Sequence, residues 1–337
     1  MSNTQTNHAP LVSIALFAYN QERYVEAAVN AALEQDYPNL EIVLSDDRST
    51  DRTFDIIKQM VAQYSGPHRV RARQSKKNAG TLRHVLEVAR ETQGEFLVLA
   101  TGDDIQLPDR TRVLMDAWQK RGSCAFSTAW NVVDDNGNLL EKHVRPEASG
   151  NIVWKYFEDK RDRRFMSGPT AAYDPKFLKS LPLPKNKVFH EDTVFTFILH
   201  AAGLDICYTD IPTVEYRIHD KSYSNRKFEK NTVQDIKDRE KAFSAYARDA
   251  AAYLDYIICD VLPELSKNQG VSETIDLKFM KDRLRHLTIE GSWIELSFTG
   301  RLKTLAKARS LSEVKTMLPR LVGLDTLASL KSLIRIR

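Results

Sequence analysis

The chain lacks what would tie it to an oxidising compartment, a bilayer or a nucleic acid. It has only three cysteines, Cys124, Cys207 and Cys259, widely spaced and odd in number. They match neither zinc-ligand nor disulfide spacing and suit a reducing compartment, and each is expected to pack as a small buried apolar residue. No apolar run reaches the ~18 residues of a spanning helix, so no membrane span is expected. The start, MSNTQTNHAP, has neither the charged nor the apolar region of a signal peptide. A cytoplasmic protein is therefore expected, with residues 1–9 as a disordered tail. Charge nearly balances, with 49 Lys/Arg against 45 Asp/Glu, an excess too mild to demand nucleic acid. Glycine is sparse, and its 13 copies never fall as GxG, which excludes the usual dinucleotide fingerprint. No GxxxxGK[ST] phosphate loop occurs either. Apolar residues are not lacking: at 42% of 337 residues they suffice for a large core, in one domain with an appendage or in two domains.

Strand-like runs alternate with helical periodicity. Leu11–Ala18 (LVSIALFA), Leu40–Leu44, Arg69–Arg73 and Phe96–Leu99 read as strands. Gln21–Gln35, Thr53–Tyr64 and Leu82–Thr92 carry apolar residues at helical spacing, and Ser49 or Asp51 can cap the second of these helices. Such alternation implies βαβ units and a mostly parallel sheet flanked by helices, an α/β fold. Later come a helix over Thr111–Lys120, a strand over Cys124–Val133 and a hairpin-type turn, Asp134-Asp135-Asn136-Gly137. A helical segment Val153–Arg164, a short strand Ala171–Tyr173, a helix Val194–Ala202 and two strands, Ile206–Tyr208 and Thr213–Ile218, follow. From Arg226 helical spacing dominates. We place a boundary near residue 225 and read 226–337 as a helical C-terminal appendage.

The first polar groups after three of the strands are Tyr19-Asn20, Asp46-Asp47 and Asp103-Asp104. Ligands of open α/β sheets sit outside the C-terminal strand ends, so the three sets gather at one nucleotide-sized edge. The turn Thr101-Gly102-Asp103-Asp104 carries adjacent carboxylates. Two such acids want a cation, and hard oxygen ligands suit Mg²⁺ or Mn²⁺, which would in turn hold a diphosphate. The alternative is a polar turn whose Asp104 caps the next helix.

Three stretches in this order and spacing resemble glycosyltransferase family 2, enzymes of GT-A fold. They are LVSIALFAYNQERYVEAAVNAALEQDYPNLEIVLSDDRSTD, then NAG…QGEFLVLATGDDIQLPD, then HED followed by YRIH. The likeness covers roughly residues 10–225. It implies an inverting transfer of a sugar from a nucleoside-diphosphate donor, uridine-type, to a glycan or lipid-linked glycan in bacterial surface polysaccharide synthesis. It places Ala18, Tyr19 and Asp47 at the nucleotide base, where a carboxylate can accept the imide N–H and a tyrosine ring can stack. Asn78 and Gly80 match a turn near the donor. The family's Asp-x-Asp metal motif is here Thr101-Gly102-Asp103. Asp103 keeps the metal position and Asp104 follows it, while Thr101 and Gly102 stay at the nucleotide with one negative charge gone.

The resemblance further makes Asp192 of His190-Glu191-Asp192 the catalytic base, with Glu191 positioning it or the acceptor; the alternative is that both acids merely load a helix N-terminus. It brings His219 of Tyr216-Arg217-Ile218-His219 to the metal and Arg217 to the diphosphate. Two competing readings are a sugar-phosphate nucleotidyltransferase, disfavoured because Phe17-Ala18-Tyr19-Asn20 has no glycine, and a non-catalytic nucleotide-sugar-binding module. Acceptor selectivity is expected from Asn151–Lys187 and the appendage. Residues 291–337 hold nine Lys/Arg against three Asp/Glu. Leu318–Ile336 can form a basic amphipathic helix lying on the inner membrane surface, or an ordinary packed helix with a solvated basic face.

Overall fold

A strand covered on both faces needs an unbroken apolar run rather than alternation. β1 (Val12–Ala18) has that run and is buried at every position. The computed structural model describes residues 9–145, 155–158, 165–220, 233–268, 270–271, 274–308, 314 and 317–321. After β1 come α1 (Val25–Leu33), β2 (Leu40–Asp46), α2 (Thr53–Gln63), β3 (Arg69–Gln74), α3 (Thr81–Glu91) and β4 (Phe96–Thr101). Next are β5 (Ile105–Gln106), α4 (Arg110–Arg121), β6 (Ala125–Val133), β7 (Leu139–Val144), β8 (Ala172–Tyr173), α5 (Pro175–Ser180), α6 (Glu191–Ala201) and β9 (Ile206–Arg217). The C-terminal region holds α7 (Val233–Tyr256), a π-helical turn (Ile257–Val261), α8 (Leu262–Asn268), α9 (Leu277–Ser292) and α10 (Phe298–Leu305).

The strands form one sheet in the order β3-β2-β1-β4-β8-β6-β9-β5, with β7 paired to β6. The long ladders, β1–β2, β1–β4, β2–β3 and β6–β9, are parallel. The antiparallel contacts β4–β8, β5–β9 and β6–β8 span two residue pairs each. Alternation along β1 divides the core. Val12, Ile14 and Leu16 pack with α1, α2 and α4, whereas Ala15 and Phe17 pack with α3, α5, α6 and α7. The sheet is thus the middle of three layers. Ala247, Ala250, Tyr253, Leu254 and Ile257 of the C-terminal region belong to the same apolar cluster as Val194–Leu199 of α6.

Several expectations are corrected. The two late strands are one 12-residue strand, β9, whose pairing with β6 shifts register near Pro212; proline cannot donate to a ladder, which makes one strand look like two. α6 begins at Glu191, three residues earlier than apolar spacing suggests. Within Val153–Arg164 only 155–158 are described. They make a short turn, and Phe157 bridges Ile275 instead of joining an α-helix. Cys207 is buried and Cys124 partly so, but Cys259 is exposed. Neither cap candidate sits at the N-cap of α2, which is Arg52 without a side-chain cap bond; Asp51 just ahead of it accepts the Thr53 N–H at 3.0 Å, while Ser49 bonds to Asp46. The Asp134–Gly137 turn joins β6 and β7 as a hairpin. Residues 1–8, the 221–232 stretch containing the proposed boundary, and all of Leu318–Ile336 beyond 321 lie outside the described residues. Among the described residues no helix is long and apolar enough to cross a membrane.

Candidate active site

The C-terminal ends of β1, β2 and β4 open onto a cleft of about 290 Å³. Ala18, Tyr19, Asp47, Asn78, Thr101, Asp103 and Asp104 line it together. Tyr19 is 45% exposed, its ring at the lip. Gly102 lies behind the wall, packed so closely that a Cβ there would meet Gln21 Oε1 at 2.5 Å and the Ala18 Cβ at 2.9 Å. The Gly102 N–H donates to the Phe17 carbonyl at 2.9 Å, which draws the acidic turn against β1. Only glycine permits that approach.

Asp47 sits in the cleft wall but is not idle there. Its carboxylate accepts the backbone N–H groups of Ala79 and Gly80, each at 3.0 Å. Gly80 starts α3 with φ +80°, a left-handed conformation that suits glycine. Burial pushes the Asp47 carboxyl up, and the Ala79 N–H, the Ser75 hydroxyl and the Gly80 N–H pull it back. Asn78 beside it accepts from Lys187 Nζ at 2.8 Å.

Asp103 and Asp104 point to different places. Asp103 Oδ2 lies 3.2 Å from His219 Nε2, and the His219 ring stacks on Tyr24 with centroids 4.7 Å apart. Asp104 is turned inward, 4% exposed. One of its oxygens accepts the Arg217 backbone N–H at 2.8 Å and the other the Thr101 hydroxyl. Burial and the neighbouring Asp103 charge push its carboxyl up to about 8. Asp104 does not cap the next helix: α4 starts at Arg110 after Asp109, with no side-chain cap.

Arg217 is committed to the chain as well. Its Nε donates to the Asp103 carbonyl at 3.0 Å and its Nη1 to the carbonyls of Asp134 and Asp135 at 3.2 and 3.1 Å. Among the described residues no three His, Cys, Asp or Glu side chains cluster as a metal cage. The Asp103–His219 pair supplies one oxygen and one nitrogen donor. That set suits Mg²⁺ or Mn²⁺ sharing its remaining positions with water and phosphate oxygens.

Glu191 and Asp192 do not line the cleft. They open α6 one step beyond it, next to Phe189 and Pro169, which do. The Gly168 N–H bonds the Asp192 carboxylate, and the Thr193 N–H donates to it at 2.6 Å. Burial raises both carboxyls, and the Asp192 charge raises Glu191 well above the usual range. The loop ahead of the pair is held from α7. Asp249 accepts the Phe189 N–H at 2.8 Å and bonds His190 Nδ1.

A second cleft of about 480 Å³ lies alongside, lined by Arg23, Tyr24, Asp51, Asp135, His219 and Asp220 among others. Gln21 lines both clefts. Sequence reasoning missed His84, Asp249 and Arg110. His84 lines the first cleft from the apolar face of α3. Arg110 is wholly buried, and its charge acts on Asp104. A polar residue at a core position of a helix was the available signal for His84. Nothing local marks Asp249, whose partners Phe189 and His190 are distant in sequence. Arg110 has near partners in Asp104 and Gln106, but its burial comes from the fold.

The fold is that of nucleotide-sugar transferases. It resembles Staphylococcus aureus TarS 1-349 in complex with UDP-GlcNAc (TM-score 0.51, 16% identity, 94% of this chain and 81% of that one). It equally resembles the mannosyltransferase PcManGT of Pyrobaculum calidifontis in complex with GDP-Man and Mn²⁺ (TM-score 0.51, 15% identity, 97% and 88%). In sequence the chain is 26% identical over 228 residues to TuaG of Bacillus subtilis, named as a glycosyltransferase of teichuronic acid biosynthesis, covering 66% of this chain and 85% of TuaG. Residues 13–181 match the model of glycosyl transferase family 2. The chain belongs to that family, and it is a glycosyltransferase of GT-A fold.

Proposed function

We propose that this glycosyltransferase moves a sugar, with inversion, from a uridine-type nucleoside-diphosphate donor to a hydroxyl of a glycan or lipid-linked glycan in surface polysaccharide synthesis. The observation that carries the reading is the meeting of Tyr19, Asp47 and Asp103, from the ends of three parallel strands, in one cleft, with Asp192 beside it. The names of TuaG and of the UDP-GlcNAc complex of TarS support the acceptor and donor classes. Within this reading the Asp47 carboxylate takes the imide N–H of the base and the Tyr19 ring covers its face.

Asp192 accepts the proton of the acceptor hydroxyl as that oxygen attacks the anomeric carbon, and the bond to the diphosphate breaks on the opposite face. Burial raises its proton affinity, the direction a general base needs. Glu191 beside it is raised by burial and by the Asp192 charge, since two adjacent buried carboxylates resist a second charge. Asp103 and His219 would hold Mn²⁺ or Mg²⁺, which when bound neutralises charge on the departing diphosphate. Arg217 and Asp104 act indirectly in this scheme, bracing the Asp103 turn from behind.

Replacing Asp192 by Asn should lower kcat by at least about 10²-fold and leave donor binding nearly intact. Turnover with a nucleotide sugar, set beside calorimetry with UDP, reads both quantities. Unchanged turnover in a folded Asp192→Asn chain would remove the base assignment.

A further inference from the structure

One part-buried guanidinium, that of Arg73, is joined through two serines to residues of the first cleft. Arg73 Nη1 donates to Ser45 Oγ at 3.2 Å and to Ser75 Oγ at 3.3 Å. Glu87 and Glu91 hold the same side chain at 3.2 and 2.8 Å. A guanidinium has five donors and no acceptor. Each serine oxygen therefore spends a lone pair on Arg73 and has its own proton to give. The Ser75 hydroxyl bonds the Asp47 carboxylate. Ser45 Oγ lies 2.6 Å from His84 Nε2. Asp47 and His84 both line the cleft.

A Ser45 hydroxyl that accepts from Arg73 is free to give its own proton to Nε2. With the Ser45 hydroxyl donating, Nε2 is an acceptor and the proton of the neutral ring sits on Nδ1. The ring is further pinned edge-on against Phe17, centroids 5.0 Å apart. Burial and the Arg73 charge both oppose a second proton. The cleft thus has an acceptor, the Asp47 carboxylate, and a donor, His84, both oriented by one cation through two hydroxyls.

We infer that His84 is a specificity-determining residue which, with Asp47, reads the pyrimidine of the donor: Nδ1–H donates to a base carbonyl while Asp47 accepts the adjacent imide N–H. The inference rests on the donor reading given above. Uracil and thymine offer that carbonyl and N–H side by side. Cytosine offers an amino group and a bare ring nitrogen there, so it would set donor against donor and lone pair against carboxylate. Neither serine is in the cleft lining. Their effect on base choice passes through His84 and Asp47, which makes them positioning residues.

The test is calorimetry of the full chain with UDP, CDP and GDP in the presence of Mn²⁺. The wild-type chain is expected to favour UDP over CDP. His84→Leu should weaken UDP about three- to tenfold, as loss of one hydrogen bond implies, and should not weaken CDP, which loses only an opposed donor, so the UDP/CDP ratio narrows. His84→Asn, whose amide nitrogen falls where Nδ1 was, should restore much of the ratio. Ser45→Ala, a change of one oxygen, should narrow it with the cleft lining intact, and it serves if the larger substitutions do not fold. A folded His84→Leu or Ser45→Ala chain with an unchanged UDP/CDP ratio overturns the inference and leaves the glycosyltransferase reading standing. A wild-type chain that prefers GDP or CDP overturns the inference and the uridine assignment together. One that binds no nucleoside diphosphate removes the donor-site reading itself.

Discussion

Burial and the nearby charge of Arg73 push the His84 imidazole down to about 3. In the unfolded chain the same ring takes its proton near ~6.5. Between those values the unfolded state binds more protons, so stability rises with pH. The His84 contribution is whole above the unfolded value and is lost as pH falls from there towards the folded one. Wild-type chain should therefore lose up to about 1.4 kcal/mol per pH unit in that window, on top of its carboxylate losses. His84→Leu should lack this share of the slope. Urea midpoints taken near neutrality and at mildly acid pH check it, and parallel slopes in the two chains would contradict the neutral buried state. Asp103 and Asp104 make the complementary point about legibility. Their adjacency was readable as a cation site. That one faces His219 and the other the Arg217 amide was not, because both partners lie more than a hundred residues away.

At the scale of elements, the loop before α6 depends on α7. Asp249 is 7% exposed and serves both the Phe189 N–H and the His190 ring. Tyr246 and Tyr253 meet that ring edge-on, at 5.6 and 6.2 Å between centroids. A helix outside the matched family segment thus sets the entry into the acidic pair. Asn at 249 keeps the shape and one acceptor but drops the charge. Asp249→Asn is expected to lower kcat about 10- to 100-fold through misplacement of Asp192, with the donor KM within about twofold. It should also lower stability by about 1–3 kcal/mol in urea unfolding. Wild-type kcat in that variant would show that α7 merely packs. The strands and most helices were legible because their apolar spacing is local. The single long β9 was not, since Pro212 interrupts the pattern that defines a strand from sequence.

For the whole molecule, the C-terminal helices complete one face of the core. Tyr253, Leu254 and Ile257 are buried with α6, and the Tyr256 hydroxyl donates to the Pro182 carbonyl at 2.7 Å. Each large apolar side chain contributes about 1.5–3 kcal/mol on burial. A few of them equal the ~5–15 kcal/mol net stability of a domain. A chain ending after residue 220 should therefore show no cooperative thermal transition by circular dichroism, although it contains every residue matched to the family. A sharp transition in that fragment would mean that the catalytic layer folds unaided.

Local pattern alone determined the alternation of strand and helix, the mostly parallel sheet and the edge at which Tyr19, Asp47 and Asp103 gather, because strand ends in a parallel sheet must all point one way. The family motifs lay within short stretches and were readable for the same reason. Tertiary structure decided which polar groups are bonded to the chain and which line a cleft. It turned Asp104 inward, tied Arg217 to three carbonyls, brought Asp249 to His190 and wired His84 and Asp47 to one arginine. Those outcomes depend on contacts between residues tens to more than a hundred positions apart, and no local spacing encodes them.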